Sequence, residues 1–218
     1  MLVRDKMTPN PITITPQTTI ADALSLMREH KIRRLPVLDK GKLVGIVTDR
    51  DLMEVSPSPA TSLSIFELNY LLSRMKIEKI IKKQKVITIR PDAFLEEAAL
   101  IMRDNEIGAI PVVEDGKLVG IITESNIFDA FIELMGLRDP GTRLTLEMED
   151  KPGMLAKVTE IIWKNGGDIS HLAVFHGDSN RVILIVQLRT TDATAISEAL
   201  RGMGVTVKSV AWKGHIPV

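Results

Sequence analysis

A chain of 218 residues, 44% hydrophobic and 26% charged, has the composition of a soluble globular protein with room for one large domain or two to three small ones. Lysine plus arginine and aspartate plus glutamate both number 28, so no overall field favours nucleic acid or an acidic membrane surface, and neither is expected as a partner. The absence of cysteine excludes disulfides, thiolate zinc sites and a cysteine nucleophile, and suits a reducing compartment.

The four histidines, His30, His171, His176 and His215, lack metal-ligand spacing, so no metal site is expected. No cofactor is expected either. The opening MLVRDKMTPNP carries no apolar leader, and no later stretch reaches the roughly 18 apolar residues of a membrane span. The expected location is the cytoplasm.

In chain order, Ile12, Thr13 and Ile14 form a short β-prone run closed by Pro16. Thr18 or Thr19 can cap a helix whose Ile20, Ala23, Leu24 and Met27 share one face. A strand at 35–38, the turn Asp39-Lys40-Gly41-Lys42 and a strand at 43–47 read as a hairpin, ending in Thr48-Asp49-Arg50-Asp51 at the start of a helix. SPSPATS at 56–62 is a loop, and an apolar helical connector is expected at 65–75.

The pattern then recurs at a constant offset that sets Pro36 on Pro111, Gly45 on Gly120 and Thr48 on Thr123 without a gap. Ile87, Thr88 and Ile89 repeat the first run, Asp92 is the cap candidate for a helix facing inward with Leu95, Ala98, Ala99 and Met102, and Glu114-Asp115-Gly116-Lys117 is the second hairpin turn. A long helix at 126–137 stops at Gly136 or at Asp139-Pro140-Gly141, where a domain boundary is expected. The divisions are a first copy at 1–55, a loop and connector at 56–76, a second copy at 77–137 and a different domain at 142–213.

In that last domain 143–148 alternates as a strand, Asp150-Lys151-Pro152-Gly153 opens a helix carrying Leu155, Val158, Ile161 and Ile162, and Asn165-Gly166-Gly167 ends it. Strands at 169–175 and 181–188, a helix at 192–203 and a strand at 205–210 complete β-α-β-β-α-β, the ferredoxin-like order. The fold class is therefore α/β joined to α+β.

The turn that closes each copy has a chemistry of its own. A strand ending in Thr48 and turning into a helix brings the Thr48 hydroxyl beside the Asp51 carboxylate, a pair that can hold a ribose diol or merely cap the helix, while the helix start offers donors to phosphate. Thr123 and Asn126 repeat the pair with an amide in place of the acid. Recurrence after the same glycine and the same strand favours the ligand reading.

GIVTDRD and GIITESN, each preceded by a Pro-Val strand, resemble CBS (cystathionine β-synthase-type) motifs, and the pair resembles a Bateman module across residues 1–135. The resemblance implies two pseudo-symmetric β-α-β-β-α motifs whose cleft takes AMP, ATP or another adenosyl compound. By position, Thr48 with Asp51 and Thr123 with Asn126 would hold riboses. Ile12, Thr13, Ile14, Leu35 and Pro36, with Ile87, Thr88, Ile89, Ala109, Ile110 and Pro111, would sandwich adenines. Arg33, Arg34 and Arg50 have Gly108, Ala109 and Ser125 as counterparts, so one site is expected to gather the guanidinium groups and to prefer phosphate.

LEMEDKPGMLAKVTEII and GGDISHLAVF are similar to the ACT domain, a resemblance covering 142–212. It implies a ferredoxin-like domain that dimerises, with an amino-acid site or dimer interface at Asp150, Pro152, Gly153, Met154, Leu155, Asp168, Ile169 and Ser170. Locally, Pro152 stands where a helix start tolerates proline, and free amides there can meet a carboxylate. The order CBS, CBS, ACT is similar to the AcuB family of acetoin-utilisation proteins, which implies a regulatory homodimer in carbon metabolism.

No Gly-x-Ser-x-Gly elbow, phosphate-binding Gly-x-x-x-x-Gly-Lys loop or His-Glu-x-x-His is present, and acids such as Glu96-Glu97 read as solvated surface. The chain is read as a non-catalytic sensor of an adenine nucleotide. The alternative is a structural module with vestigial clefts that dimerises or docks to a metabolic enzyme.

Overall fold

In the computed structural model, which describes residues 1–55, 73–81, 86–177 and 180–214, α1 (Val3–Lys6) and β1 (Thr8–Pro9) precede the first copy. That copy runs α2 (Ile20–Glu29), β2 (Arg34–Asp39), β3 (Lys42–Thr48) and α3 (Asp49–Glu54). The loop at 56–62 and most of the connector expected at 65–75 lie outside the described residues. A 3-10 turn, Ile77–Lys79, introduces the second copy: α4 (Leu95–Asp104), β4 (Ala109–Glu114), β5 (Lys117–Thr123) and α5 (Glu124–Leu134). Backbone proximity divides the chain into two compact units, Met1–Ile127 and Phe128–Val218.

Both hairpins form where the turn residues placed them, β2 with β3 and β4 with β5, each with a register shift at the same point, after Val37 and after Val112. The expected strands at 12–14 and 87–89 shrink to single parallel bridges, Ile14 to Val37 and Ile89 to Val112. Pro16 and Pro91 follow closely, and a proline both restricts the residue before it and lacks a ladder donor. Thr19 caps α2, its hydroxyl accepting from the Asp22 amide at 3.1 Å. In the second copy the same place is taken by Phe94, which has no side-chain cap, and the expected cap residue Asp92 pairs with Arg90 instead, at 2.9 Å.

The two copies exchange their leading segments. Val3 and Arg4 donate backbone hydrogen bonds to Ala93 and Pro91 of the second copy, both at 2.9 Å. Ile77 and Glu78 donate to Thr18 and Pro16 of the first, at 3.0 and 2.9 Å. β1 extends the second hairpin, Thr8 opposite Ile121 and Pro9 opposite Gly120. Val3 and Ile77 are fully buried, Ile77 among Ile20, Leu35, Val37 and Leu52 of the first copy. The shared glycines mark the crossings: a Cβ on Gly45 would lie 2.8 Å from Ile81 Cγ2, and one on Gly120 would lie 2.4 Å from Met7 Sδ.

In the second unit, β6 (Gly141–Glu149), α6 (Met154–Lys164), β7 (Ile169–His176), β8 (Arg181–Leu188), α7 (Thr194–Gly202) and β9 (Thr206–Lys213) follow in the order β-α-β-β-α-β. The sheet is antiparallel with strand order β7-β8-β6-β9. Leu144, Leu146, Val158, Ile162, Leu184 and Leu200 form its fully buried core. α6 starts later than the sequence suggested, at Met154, because Gly153 at φ 84 stands outside the helix as its cap and Pro152 falls in the preceding turn. Asp192 likewise stays outside α7, its Oδ1 accepting from the Thr194 amide at 2.9 Å.

Glu147 on β6 faces Lys208 of β9 at 2.9 Å and Arg181 of β8 at 3.4 Å. The hydrogen bond from Lys208, with the charges of Lys208 and Arg181, holds its carboxyl below the usual carboxylate range. A carboxyl depressed on folding contributes stability above its ordinary pKa, and that contribution is lost as pH falls through the depressed value. Acid titration of the melting temperature is expected to show this loss, and Glu147→Gln is expected to flatten the acid limb. An unchanged limb in the variant would refute the contribution.

Candidate functional site: the cleft between the copies

A cavity of about 550 Å³ opens between the two copies. The first copy supplies Arg33, Arg34, Gly45 to Val47 and the turn Thr48-Asp49-Arg50-Asp51, and the second supplies Val86, Ile87, Ile107, Gly108, Ala109 and Pro111. Such a volume suits a small-molecule ligand, with apolar walls on one side and convergent polar groups on the other.

The turn is fixed by reciprocal capping. Asp51 Oδ2 accepts from the Thr48 amide at 2.8 Å and from the Thr48 hydroxyl at 2.7 Å, while Thr48 Oγ1 accepts from the Asp51 amide at 3.1 Å. Asn126 repeats this with its Oδ1, accepting from the Thr123 amide at 2.9 Å and hydroxyl at 2.7 Å. The cap is thus real in both copies, and it is compatible with a further contact, because a carboxylate has two acceptor oxygens and about four lone-pair positions.

Of the residues expected to hold a ligand, Thr48, Asp51, Arg33, Arg34, Arg50, Ile87, Ala109 and Pro111 come together in this one cavity. Leu35 and Ile110 do not line it. Both are fully buried, with Leu35 in the first copy's core. Ile14 and Ile89 are also buried at their bridges, Ile12 packs against the first core, Pro36 is buried, and Thr13 and Thr88 are exposed. Thr123 and Asn126 lie outside the cavity lining.

The three guanidinium groups do not stand alone, since Asp49, Asp51 and Glu106 line the same cavity. Arg50 is largely exposed and sits 3.5 Å from Glu54, and Arg34 sits 3.7 Å from Glu124. Sequence reading missed Ile80, Ile81, Val86 and Ile107 as apolar lining. The first two lie in the segment 75–81, which precedes the run where the repeat is recognised.

At the other candidate site, Asp150 is exposed and 3.2 Å from His176, and Pro152 and Gly153 are exposed ahead of Met154 and Leu155. Asp168 is engaged by Arg189 at 2.7 Å, Ile169 packs on the core, and the Ser170 hydroxyl donates to the Gln187 carbonyl at 3.2 Å. Among the described residues no group of three histidine, aspartate or glutamate side chains is placed to hold a metal ion, and no helix is long and apolar enough to cross a membrane.

The CBS domain profile matches residues 3–58 and 77–133, just over half of the chain. The chain belongs to the CBS-domain family. A CBS domain-containing protein of Dictyostelium discoideum is 34% identical over 139 residues, spanning 62% of this chain and 94% of that protein. Among solved structures, a Vibrio cholerae protein named for acetoin utilization (AcuB) has a TM-score of 0.52 at 34% identity, covering 64% of this chain and 96% of that one. CBSX2 in complex with AMP has a TM-score of 0.50 at 33% identity, covering 61% and 96%. CBSX2 is a chloroplastic protein of Arabidopsis thaliana. The two copies are therefore a CBS pair.

Proposed function

We propose that the chain is a non-catalytic regulatory protein that senses an adenine nucleotide, AMP, ATP or another adenosyl compound, in the cleft between its CBS copies. The observation that carries this reading is the convergence of the Thr48 and Asp51 pair with Arg33, Arg34, Ile87, Ala109 and Pro111 on one cavity. Asp51 and Thr48 hold the ribose, the apolar wall of the second copy takes the base, and the guanidinium groups take phosphate oxygens. The AMP complex of CBSX2, a similar chain, supports the ligand class.

The second unit is proposed to be an ACT domain of ferredoxin-like arrangement, supported by its element and strand order. A homodimer through it is supported by apolar side chains exposed on its edge strands, including Val174 and Phe175 on β7 and Trp212 on β9. Gly153, where an added Cβ would meet nothing within 4 Å, leaves the turn open to an amino-acid carboxylate. A cytoplasmic location and control of a metabolic enzyme complete the proposal.

Asn126 supplies the means to test the nucleotide site, because it shows that an amide forms the same cap as Asp51. Asp51→Asn is expected to leave the protein folded, because the cap survives, and to weaken AMP and ATP binding about tenfold, as loss of a charged hydrogen-bonding group does. Thermal shift and calorimetric titration read the two quantities. A ligand at about 100 times its Kd stabilises the folded form by about 2.7 kcal/mol. No shift with any adenine nucleotide would overturn the sensor reading in favour of a structural module whose Thr and Asp serve only as caps.

A further inference from the structure

Arg34 lies at the rim of both copies. It lines the cleft, yet its Nη2 is 3.7 Å from Glu124 Oε2, at the start of α5 in the second copy, with the arginine side chain 26% exposed and the glutamate 59%. Glu124 is outside the cavity lining, and its amide donates to the Gly108 carbonyl at 3.1 Å. The pair rests on Gly108: a Cβ there would stand 2.2 Å from Arg34 Nη2 and 2.7 Å from Glu124 Oε2. In the repeat, Gly108 is the counterpart of Arg33, Ala109 of Arg34 and Glu124 of Asp49. The repeat-related positions thus hold Ala109 and Asp49, and an alanine cannot pair with a carboxylate, so among the described residues these two positions form no equivalent bridge.

We infer that Glu124 competes with the ligand's phosphate for Arg34 and so sets how strongly the cleft discriminates by ligand charge. This rests on the reading of the cleft as an adenine-nucleotide site. A carboxylate carries one negative charge, whereas a phosphate monoester carries about −1.5 to −2 at neutral pH and can take two guanidinium N–H groups at once. A half-exposed ion pair is weak, worth a small fraction of what a folded domain needs, so it can be exchanged when a phosphate arrives. Glu124 is a positioning residue that never touches the ligand: its hold on the cation is given up when a phosphate binds and is undisturbed by an uncharged nucleoside, so it moderates the preference for phosphate.

The test is calorimetric titration with adenosine and AMP, each against the wild type, Glu124→Gln, Arg34→Ala and the double variant, with melting curves to confirm folding. Glu124→Gln is expected to tighten AMP about threefold, the scale of a surface ion pair, and to leave adenosine unchanged. Arg34→Ala is expected to weaken AMP, and in its background Glu124→Gln is expected to change nothing. A gain that persists without Arg34 would mean a simple field effect of the carboxylate, and equal changes for adenosine and AMP would mean a change of cavity shape. Either result overturns the competition. Binding of AMP with no dependence on Glu124 defeats this inference alone, whereas absence of binding by both compounds in every form defeats the nucleotide reading as well.

Discussion

Ile77→Ala is expected to destabilise the N-terminal unit by about 2–5 kcal/mol, the range for removing a buried isoleucine side chain down to its Cβ. Ile77 follows the connector and directly leads the second copy, yet it is fully buried against Ile20, Leu35, Val37 and Leu52 of the first. Its neighbours hold it there through the Ile77 amide to Thr18 and the Glu78 amide to Pro16. Truncation leaves a cavity that two segments pinned by backbone hydrogen bonds cannot easily close, so the cost includes lost packing as well as lost burial. Urea unfolding reads the effect as a lower midpoint at unchanged slope. Exposed Glu78→Ala, one residue on, is expected to change stability by no more than about 0.5 kcal/mol. Equal effects at the two positions would mean that the leader does not complete the first core.

Gly141→Ala is expected to cost about 3 kcal/mol or more in the second unit, for two separate reasons. Gly141 has φ 140, which a side chain opposes, and a Cβ there would lie 1.9 Å from the Leu188 carbonyl oxygen. That oxygen belongs to the backbone of β8, opposite Thr142 in the β6 ladder, so relief requires the sheet to open at its first rung. Gly153 is the control, since it shares a positive φ of 84 but meets nothing within 4 Å, and its alanine variant is expected to cost about 1 kcal/mol. Hydrogen exchange of the β6 and β8 amides measures the difference. Similar costs for the two variants would show that the contact with Leu188 is not decisive.

How much of this was legible in the sequence depended on whether the determining force was local. Hairpin turns are decided by two or three residues, and Asp39-Lys40-Gly41-Lys42 and Glu114-Asp115-Gly116-Lys117 were read correctly as turns. The Thr48 and Asp51 cap is likewise a four-residue event. The strands expected at 12–14 and 87–89 were overcalled because β propensity says nothing about how long a partner strand stays alongside.

Asp92 was a reasonable cap by residue type, but Arg90 captured it and the backbone entered the helix two residues later, at Phe94. Leu35 and Ile110 stand at the adenine walls by the family resemblance alone; both are fully buried and outside this cavity's lining, Leu35 in one core with Ile20, Val47 and Leu52. The leaders were missed because the Val3 and Ile77 amides dock on Ala93 and Thr18 of the other copy, and only the exchanged arrangement gives their burial a meaning.

That exchange has a kinetic consequence. The first leader docks beside Pro91 and Ala93, and the second reaches back to Pro16 and Thr18, so each closure joins points far apart along the chain. Closing a long loop costs entropy before any contact is made, and it can be repaid only when the receiving surface already exists. Neither copy has its core complete until the other is in place, since Ile77 fills the first and the β1 strand borders the second. Duplication has thus produced two look-alike halves that are expected to unfold in one transition, read as a single urea midpoint for the N-terminal unit.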